Sequence, residues 1–350
     1  MLWLPDDEDD HQQASGDLTW YDARENRPNR TPEFRLYYHA AADSVIHNAA
    51  AGDLLVLALT TGGRAIIAIA PAGSTTERQL LWLFGLPDAL EEATSKAADE
   101  LDDVSVPTVA LQILEALGIE VALEPSSCLD ELVAKYGHAF PTTREMSAFA
   151  RGCSDGDPVA DPDTTLMNWY STEESLFRGL ERLIVEERLS QGFKDVDEFL
   201  SESLSLHQRR KSRAGYALEN QVEAILEAHK VRYARGKISE RRSQPDFIFP
   251  SIEEYRDPAF PETRLSMLAA KSTCKERWRQ ILPEADRIEE KHLLTLEPAI
   301  SAGQTTEMAT NRVRLVLPHD LHATYLESQR PYLMTVHEFI ELVNARAAVI

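Results

Sequence analysis

Hydrophobic and polar positions follow two rhythms along this chain, and the change between them divides it. From Leu18 to Leu86 the period is two, or the run is wholly apolar. Phe34-Arg-Leu-Tyr-Tyr38 alternates, Asp53-Leu-Leu-Val-Leu-Ala-Leu59 is continuous, and Arg64-Ala-Ile-Ile-Ala-Ile-Ala70 follows a Gly62-Gly63 turn. Side chains alternate across a strand, so these segments predict strands, the last two joined as a hairpin. With a helical stretch at 75–83 they predict a small β-barrel with helical decoration. Residues 91–120 predict two acidic amphipathic helices separated at Val106-Pro107, and a boundary falls near Glu124-Pro125-Ser126-Ser127.

Beyond that boundary the period lengthens. Thr142-x-x-Glu145 is a capping box behind Pro141, and an acidic loop runs from Asp155 to Asp163. Helices are expected at 173–189, 196–204 and 216–229, the last with the stripe Leu218, Val222, Ile225 and Leu226. Strands are expected at 247–249 and 264–273, then a helix at 275–288 whose apolar positions are Trp278, Ile281, Leu282 and Ala285. A β-α-β unit follows at 292–296, 305–311 and 313–317, and Thr335-x-x-Glu338 caps a terminal helix. This order describes an α/β domain with a mixed sheet flanked by helices. The fold class is therefore α+β or mixed, with domains at 1–125 and 126–350.

Composition narrows the setting. No apolar run approaches the eighteen residues of a membrane helix, and the acidic start through about Asp17 reads as a disordered leader rather than a secretory signal. Three cysteines, odd in number and without metal-site spacing, point to a reducing cytoplasm. The net charge of −22 would discourage a polyanion partner if it were spread evenly. It is not. Between Ser205 and Pro250 ten Lys and Arg outnumber five acids, so a basic stretch encloses the most informative residues.

Those residues are Asp246, Lys271 and Glu284. Carboxylates are hard oxygen ligands suited to Mg²⁺, and a lysine beside them can steady charge developing on a phosphate. Lys271 ends an apolar strand, where a lysine must snorkel, pair or act. Glu219 lies on the helix preceding Asp246, placed to assist. The four fall in the order of a PD-(D/E)xK nuclease core, with one departure: the usually acidic position two before the lysine is Ala269, and Glu284 is the candidate replacement. Each has a plain structural alternative: a turn for Asp246, an edge-strand lysine for Lys271, a solvated helix face for Glu284 and an i,i+4 pair for Glu219. His319-Asp-Leu-His322 has the look of a metal dyad but no partner cluster, and Cys274 reads as a packing residue.

Three segments carry a wider resemblance: Arg209 to Glu219, Gln244-Pro-Asp-Phe-Ile-Phe-Pro-Ser251, and Ala269-Ala-Lys-Ser-Thr-Cys-Lys-Glu-Arg-Trp-Arg-Gln280 onward. From about Phe140 to Ile340 the chain resembles the EcoRII-like type II restriction endonucleases, which share the displaced acid. The resemblance implies a metal and catalytic centre of Asp246, Lys271 and Glu284, with Glu219 assisting and Tyr255 nearby. It implies that Lys275, Glu276 and Arg277 read C·G pairs and that Arg210 lies beside double-stranded DNA. Trp169 and Tyr170 are candidates for a base-extrusion pocket, with core packing as the alternative. The first domain resembles the family's effector-DNA-binding pseudobarrel, with Arg24, Arg30, Glu33 and Arg35 as contacts. Mg²⁺ and a homodimer on a palindromic site are the implied cofactor and assembly. A repair or junction nuclease on the same core, and a DNA-binding protein without catalysis, are the alternatives.

Overall fold

A computed structural model of the protein describes residues 1–6, 10–25, 30–59, 64–83, 127–240, 243–274 and 277–348. The Gly62-Gly63 turn, the two helices expected over 91–120, the boundary at 124–126, and Lys275 and Glu276 lie outside the described residues. The chain divides into two compact units, Met1–Ala97 and Ala98–Ile350.

In the first unit β1 (Leu2–Trp3), β2 (Gln12–Gln13), β5 (Leu54–Leu59) and β6 (Ala65–Ala70) form a sheet of order β2-β1-β6-β5. A separate antiparallel ribbon joins β3 (Leu18–Asp22) to β4 (Phe34–Tyr38), with Trp20 opposite Leu36. Among the described residues two helices accompany them, α1 (Asp43–Ile46) and α2 (Thr75–Leu83). The expected apolar runs are thus strands. Among the described residues, the start of the chain is not the disordered tail its acidity suggested, since Leu2–Trp3 and Gln12–Gln13 form strands. Leu2 and Leu4 are buried, and β1 pairs in parallel with β6. These two leucines fix the first strand, because burying each contributes roughly 1.5–3 kcal/mol. Val45, Ile67 and Ile69 centre this unit's core.

The second unit is a six-stranded mixed sheet beside a group of helices. Helices α3 (Ser127–Tyr136), α4 (Thr143–Gly152), α5 (Pro162–Gln191) and α6 (Val196–Ala228) precede it. The Thr142 box closes as expected, its hydroxyl accepting from Glu145 N and the Glu145 carboxylate accepting from Thr142 N. The two helices expected at 196–204 and 216–229 are one. The intervening Ser205–Arg213 has no proline, and Gly215 by itself costs only about 1 kcal/mol, too little to break a helix whose second half buries Leu218, Val222, Ile225 and Leu226.

Strand order in the sheet is β12-β11-β10-β9-β8-β7. These are β7 (Ala234–Arg235), β8 (Phe247–Phe249), β9 (Ser266–Lys271), β10 (Lys291–Thr295), β11 (Val313–Val316) and β12 (Leu333–Met334). Strands β9 to β12 are parallel, while β8 runs antiparallel to β9 with Phe247 opposite Leu268. Buried side chains on both faces explain the unbroken apolar reading of β9 and β10.

Among the described residues, the helix expected over 275–288 does not form. A short 3-10 turn, Trp278–Ile281, stands in its place. Pro283 has no N–H to give to the carbonyl a helical turn behind it, and Ala285 adopts a positive φ of 51°. The helical spacing survives as burial: Trp278, Ile281, Ala285 and Ile288 are all buried.

Candidate functional site

The reversal at β8 creates the site. An antiparallel β8 puts its first residues beside the last residues of β9, so Asp246, one position before β8, meets Lys271 at the end of β9. Asp246 Oδ2 accepts from Lys271 Nζ at 2.8 Å and from Ala270 N at 2.8 Å. Both side chains are largely buried, so the pair holds its geometry better than a surface ion pair would. Asp246 is fixed through its backbone too, its carbonyl accepting from Gly236 N at 3.0 Å.

Two more carboxylates feel this pair. Burial, and then the negative charge of Asp246, raise Glu219 above its ordinary range, while Arg235 and Lys271 oppose the rise. Glu284 is pushed up to about 7 by burial and by Asp246, against Lys271 and Lys291. Asp246 and Lys271 are thus in contact, and Glu219 from α6 and Glu284 from the turn after Pro283 lie within electrostatic reach of them. Glu284 reaches the group from a loop, not from the expected helix.

Tyr255 belongs to a neighbouring cluster. It sits on α7 (Ile252–Arg256), buried, with its hydroxyl hydrogen-bonded to Glu240. Glu240 in turn accepts from Asp286 N at 3.4 Å, so Tyr255 is tied to the loop of Glu284 rather than to Asp246 or Lys271. Sequence reading missed three residues here. Arg235 binds Glu219 at 3.0 Å and Glu223 at 2.5 Å. Lys291 is buried against the Glu284 turn, and Glu297 accepts from Cys274 N at 2.6 Å, just ahead of the expected recognition residues. A signal existed for Lys291: a lysine opening an apolar strand that is buried on both faces. Nothing local marked the other two.

The remaining candidates are scattered. Arg277 is exposed. Arg210 is joined to the buried Glu181 at 2.7 Å. Trp169 and Tyr170 are buried along α5, with the Arg151 guanidinium 5.7 Å from the Trp169 ring, so neither ring is presented to solvent. In the first unit Glu33 joins Arg24 at 2.5 Å and Arg35 at 2.7 Å, and Arg30 is exposed. The basic run is less free than its composition suggested: Arg213 is paired with Glu174, and Arg232 with Glu254. Glu219 and Arg235 line a cleft of about 890 Å³ with Arg144, Tyr216, Tyr233 and Lys237.

Among the described residues no group of three or more His, Cys, Asp or Glu is arranged to hold a metal ion. Mg²⁺ asks for less, commonly one or two carboxylates plus substrate phosphate and water. Asp246 and Glu284 fit that requirement. They are hard oxygen donors whose mutual repulsion a divalent cation would relieve.

A protein-family model described as EcoRII C terminal matches residues 177–340. The type II restriction enzyme EcoRII of Escherichia coli is 37% identical over 261 residues, 74% of this chain and 64% of that enzyme, so the match spans less than two thirds of the relative's length. Similar solved structures include a PspGI restriction endonuclease–substrate DNA complex, with TM-score 0.48 and 17% identity, covering 59% of this chain and 94% of that one. Another is metal-depleted Ecl18kI with uncleaved, modified DNA, with TM-score 0.47 and 17% identity, covering 64% and 85%.

Proposed function

Since residues 177–340 carry the EcoRII C-terminal family domain and the chain is a homologue of a type II restriction enzyme, we propose that it is a site-specific endonuclease acting on double-stranded DNA. The observation that carries this reading is the hydrogen-bonded Asp246–Lys271 pair with Glu219 and Glu284 electrostatically coupled to it.

In this reading each residue takes the following role. Asp246 and Glu284 would hold Mg²⁺, which when bound supplies Lewis-acid activation of the scissile phosphate and of water. Asp246 keeps the Lys271 ammonium at the end of β9, where it can donate to a phosphate oxygen as negative charge grows there. Glu219, raised by burial and joined to Arg235, would accept a proton from water. In-line attack would break the bond from phosphorus to the 3′ oxygen and leave 5′-phosphate ends. Lys275, Glu276 and Arg277 would read the outer C·G pairs of a short palindrome, Arg and Lys donating to guanine and Glu accepting from cytosine. A palindrome calls for a two-fold pair of catalytic domains. Residues 126–350 form that domain in this reading, restriction-endonuclease-like in fold. Residues 1–125 form an effector-DNA-binding pseudobarrel domain in which Arg24, Arg30, Glu33 and Arg35 face the second DNA. Arg210 and Tyr255 support the catalytic side, and the family's habit of extruding bases assigns Trp169 and Tyr170 to a pocket wall that would have to open.

The test is cleavage of unmodified plasmid DNA with and without Mg²⁺, followed by sequencing of the ends. Lys271→Ala should reduce cleavage by roughly 10²–10³-fold, the range typical for losing one transition-state donor, and Asp246→Asn, which removes a metal-holding carboxylate, should reduce it at least as much. Binding to target DNA without metal should persist. Undiminished Mg²⁺-dependent cutting in both variants would sink the assignment.

A further inference from the structure

Lys291 is an ammonium where the core has no use for one. It opens β10, is buried, and its Nζ donates to three backbone carbonyls, Glu284 at 2.5 Å, Ala285 at 3.2 Å and Ile288 at 3.0 Å. Three donors meeting three acceptors is complete hydrogen-bond satisfaction for a lysine. The arrangement is still unfavourable in itself, because a buried charge loses its hydration and an apolar residue of the same length would fill the space without that loss. Asp286, Glu284 and Glu240 offset part of it.

The segment it grips needs gripping. Between Ile281 and Ile288, all of them described residues, there is no helix and no strand. Pro283 brings no N–H, Ala285 sits at positive φ, and the backbone is held by isolated turns such as Glu284 N to Ile281 O and Ile288 N to Ala285 O, at 3.0 and 2.9 Å. The far side is tied by Arg287, which donates to the carbonyls of Tyr255, Asp257 and Phe260. Arg287 moors the loop to its neighbours, whereas Lys291 bonds the carbonyl of Glu284 itself.

We propose that Lys291 is the positioning residue for Glu284, its buried ammonium fixing through three carbonyls the loop that carries the displaced acid. This rests on the reading of Glu284 as a metal-holding carboxylate. Lys291 touches neither substrate nor metal. It acts by setting how far Glu284 stands from Asp246, and so how well the two serve one divalent ion.

The experiment compares the full-length wild type with Lys291→Met and Lys291→Gln. Four readouts are taken: thermal melting, binding of target DNA without divalent metal, calorimetric titration with Mn²⁺, and cleavage against Mg²⁺ concentration. Lys291→Met should bind metal-free DNA as the wild type does. Its Mn²⁺ affinity should fall by roughly 10–100-fold, as is usual when a group supporting a ligand is lost, and the Mg²⁺ concentration for half-maximal cleavage should rise in step. Lys291→Gln, which keeps two amide donors, should recover part of the affinity and decides the matter if the Met variant does not fold. Wild-type Mn²⁺ affinity in the folded variants overturns the inference. So does a loss of metal affinity that only tracks a loss of melting temperature and of DNA binding, since that describes a stability role. A wild type that neither binds Mn²⁺ nor cleaves fails the endonuclease reading instead, and is recognised before any variant is made.

Discussion

At the scale of single residues, ionisable groups sealed in the sheet set how the protein answers to pH. His292 on β10 is wholly buried with its ring 5.1 Å from that of Phe339. Burial, with Arg346 and Arg314 nearby, depresses its pKa from 6.5 to about 3. Above 6.5 the ring is neutral in both states, and below it the unfolded chain binds a proton the folded one refuses. Stability is therefore lost as pH falls from 6.5 toward about 3. The melting temperature of the wild type should drop more steeply between about pH 7 and pH 4.5 than that of His292→Leu, and parallel curves would contradict this. The candidate catalytic residues were legible for a different reason. Asp246 and Lys271 sit at strand ends flanked by apolar residues, where a charge is conspicuous. Arg235 was not, because its meaning lies in Glu219 and Glu223 on another element; Lys291 stood out at the head of a buried strand, but the backbone carbonyls it binds are displayed by no residue code.

At the scale of elements, periodicity told which residues are buried better than it told what shape buries them. Trp278, Ile281 and Ala285 have helical spacing and all three are buried, yet Pro283 makes the segment a series of linked turns. Conversely α6 runs through a polar stretch that looked like a break, because packing against α5 outweighs propensity. The short β12 was missed, since two residues carry no period. Gly215 lies inside α6, and a methyl group there meets nothing within 4 Å. Gly215→Ala should therefore stabilise the protein by about 0.5–1 kcal/mol, read as a higher melting temperature with unchanged cleavage.

At the scale of the molecule, the charge of −22 and the proposed DNA partner are reconciled by distribution, though not in the simple way that a basic run suggests. Arg210, Arg213, Arg232 and Arg235 are all engaged with acids of this chain, so the positive charge left for a phosphate backbone is smaller than the count implies. DNA binding should weaken steeply with salt, but with a slope corresponding to fewer contacts than the ten cations between Ser205 and Pro250. If residues 1–125 restrain the catalytic domain until a second DNA is engaged, a 126–350 fragment should cut single-site DNA faster than the full chain. Equal rates on one-site substrates would remove that restraint from the account.

The loop origin of Glu284 has a consequence for how the proposed activity would fail. Asp246 and Lys271 inherit their places from strand register, so they separate only when the sheet itself comes apart. Glu284 rides a segment with no ladder of its own, which can open as a local unfolding event at a free energy well below the global one. Under mild denaturant the protein should lose metal-dependent cutting first and its fold later, with amide exchange around 284–288 running ahead of that in β9 and β10.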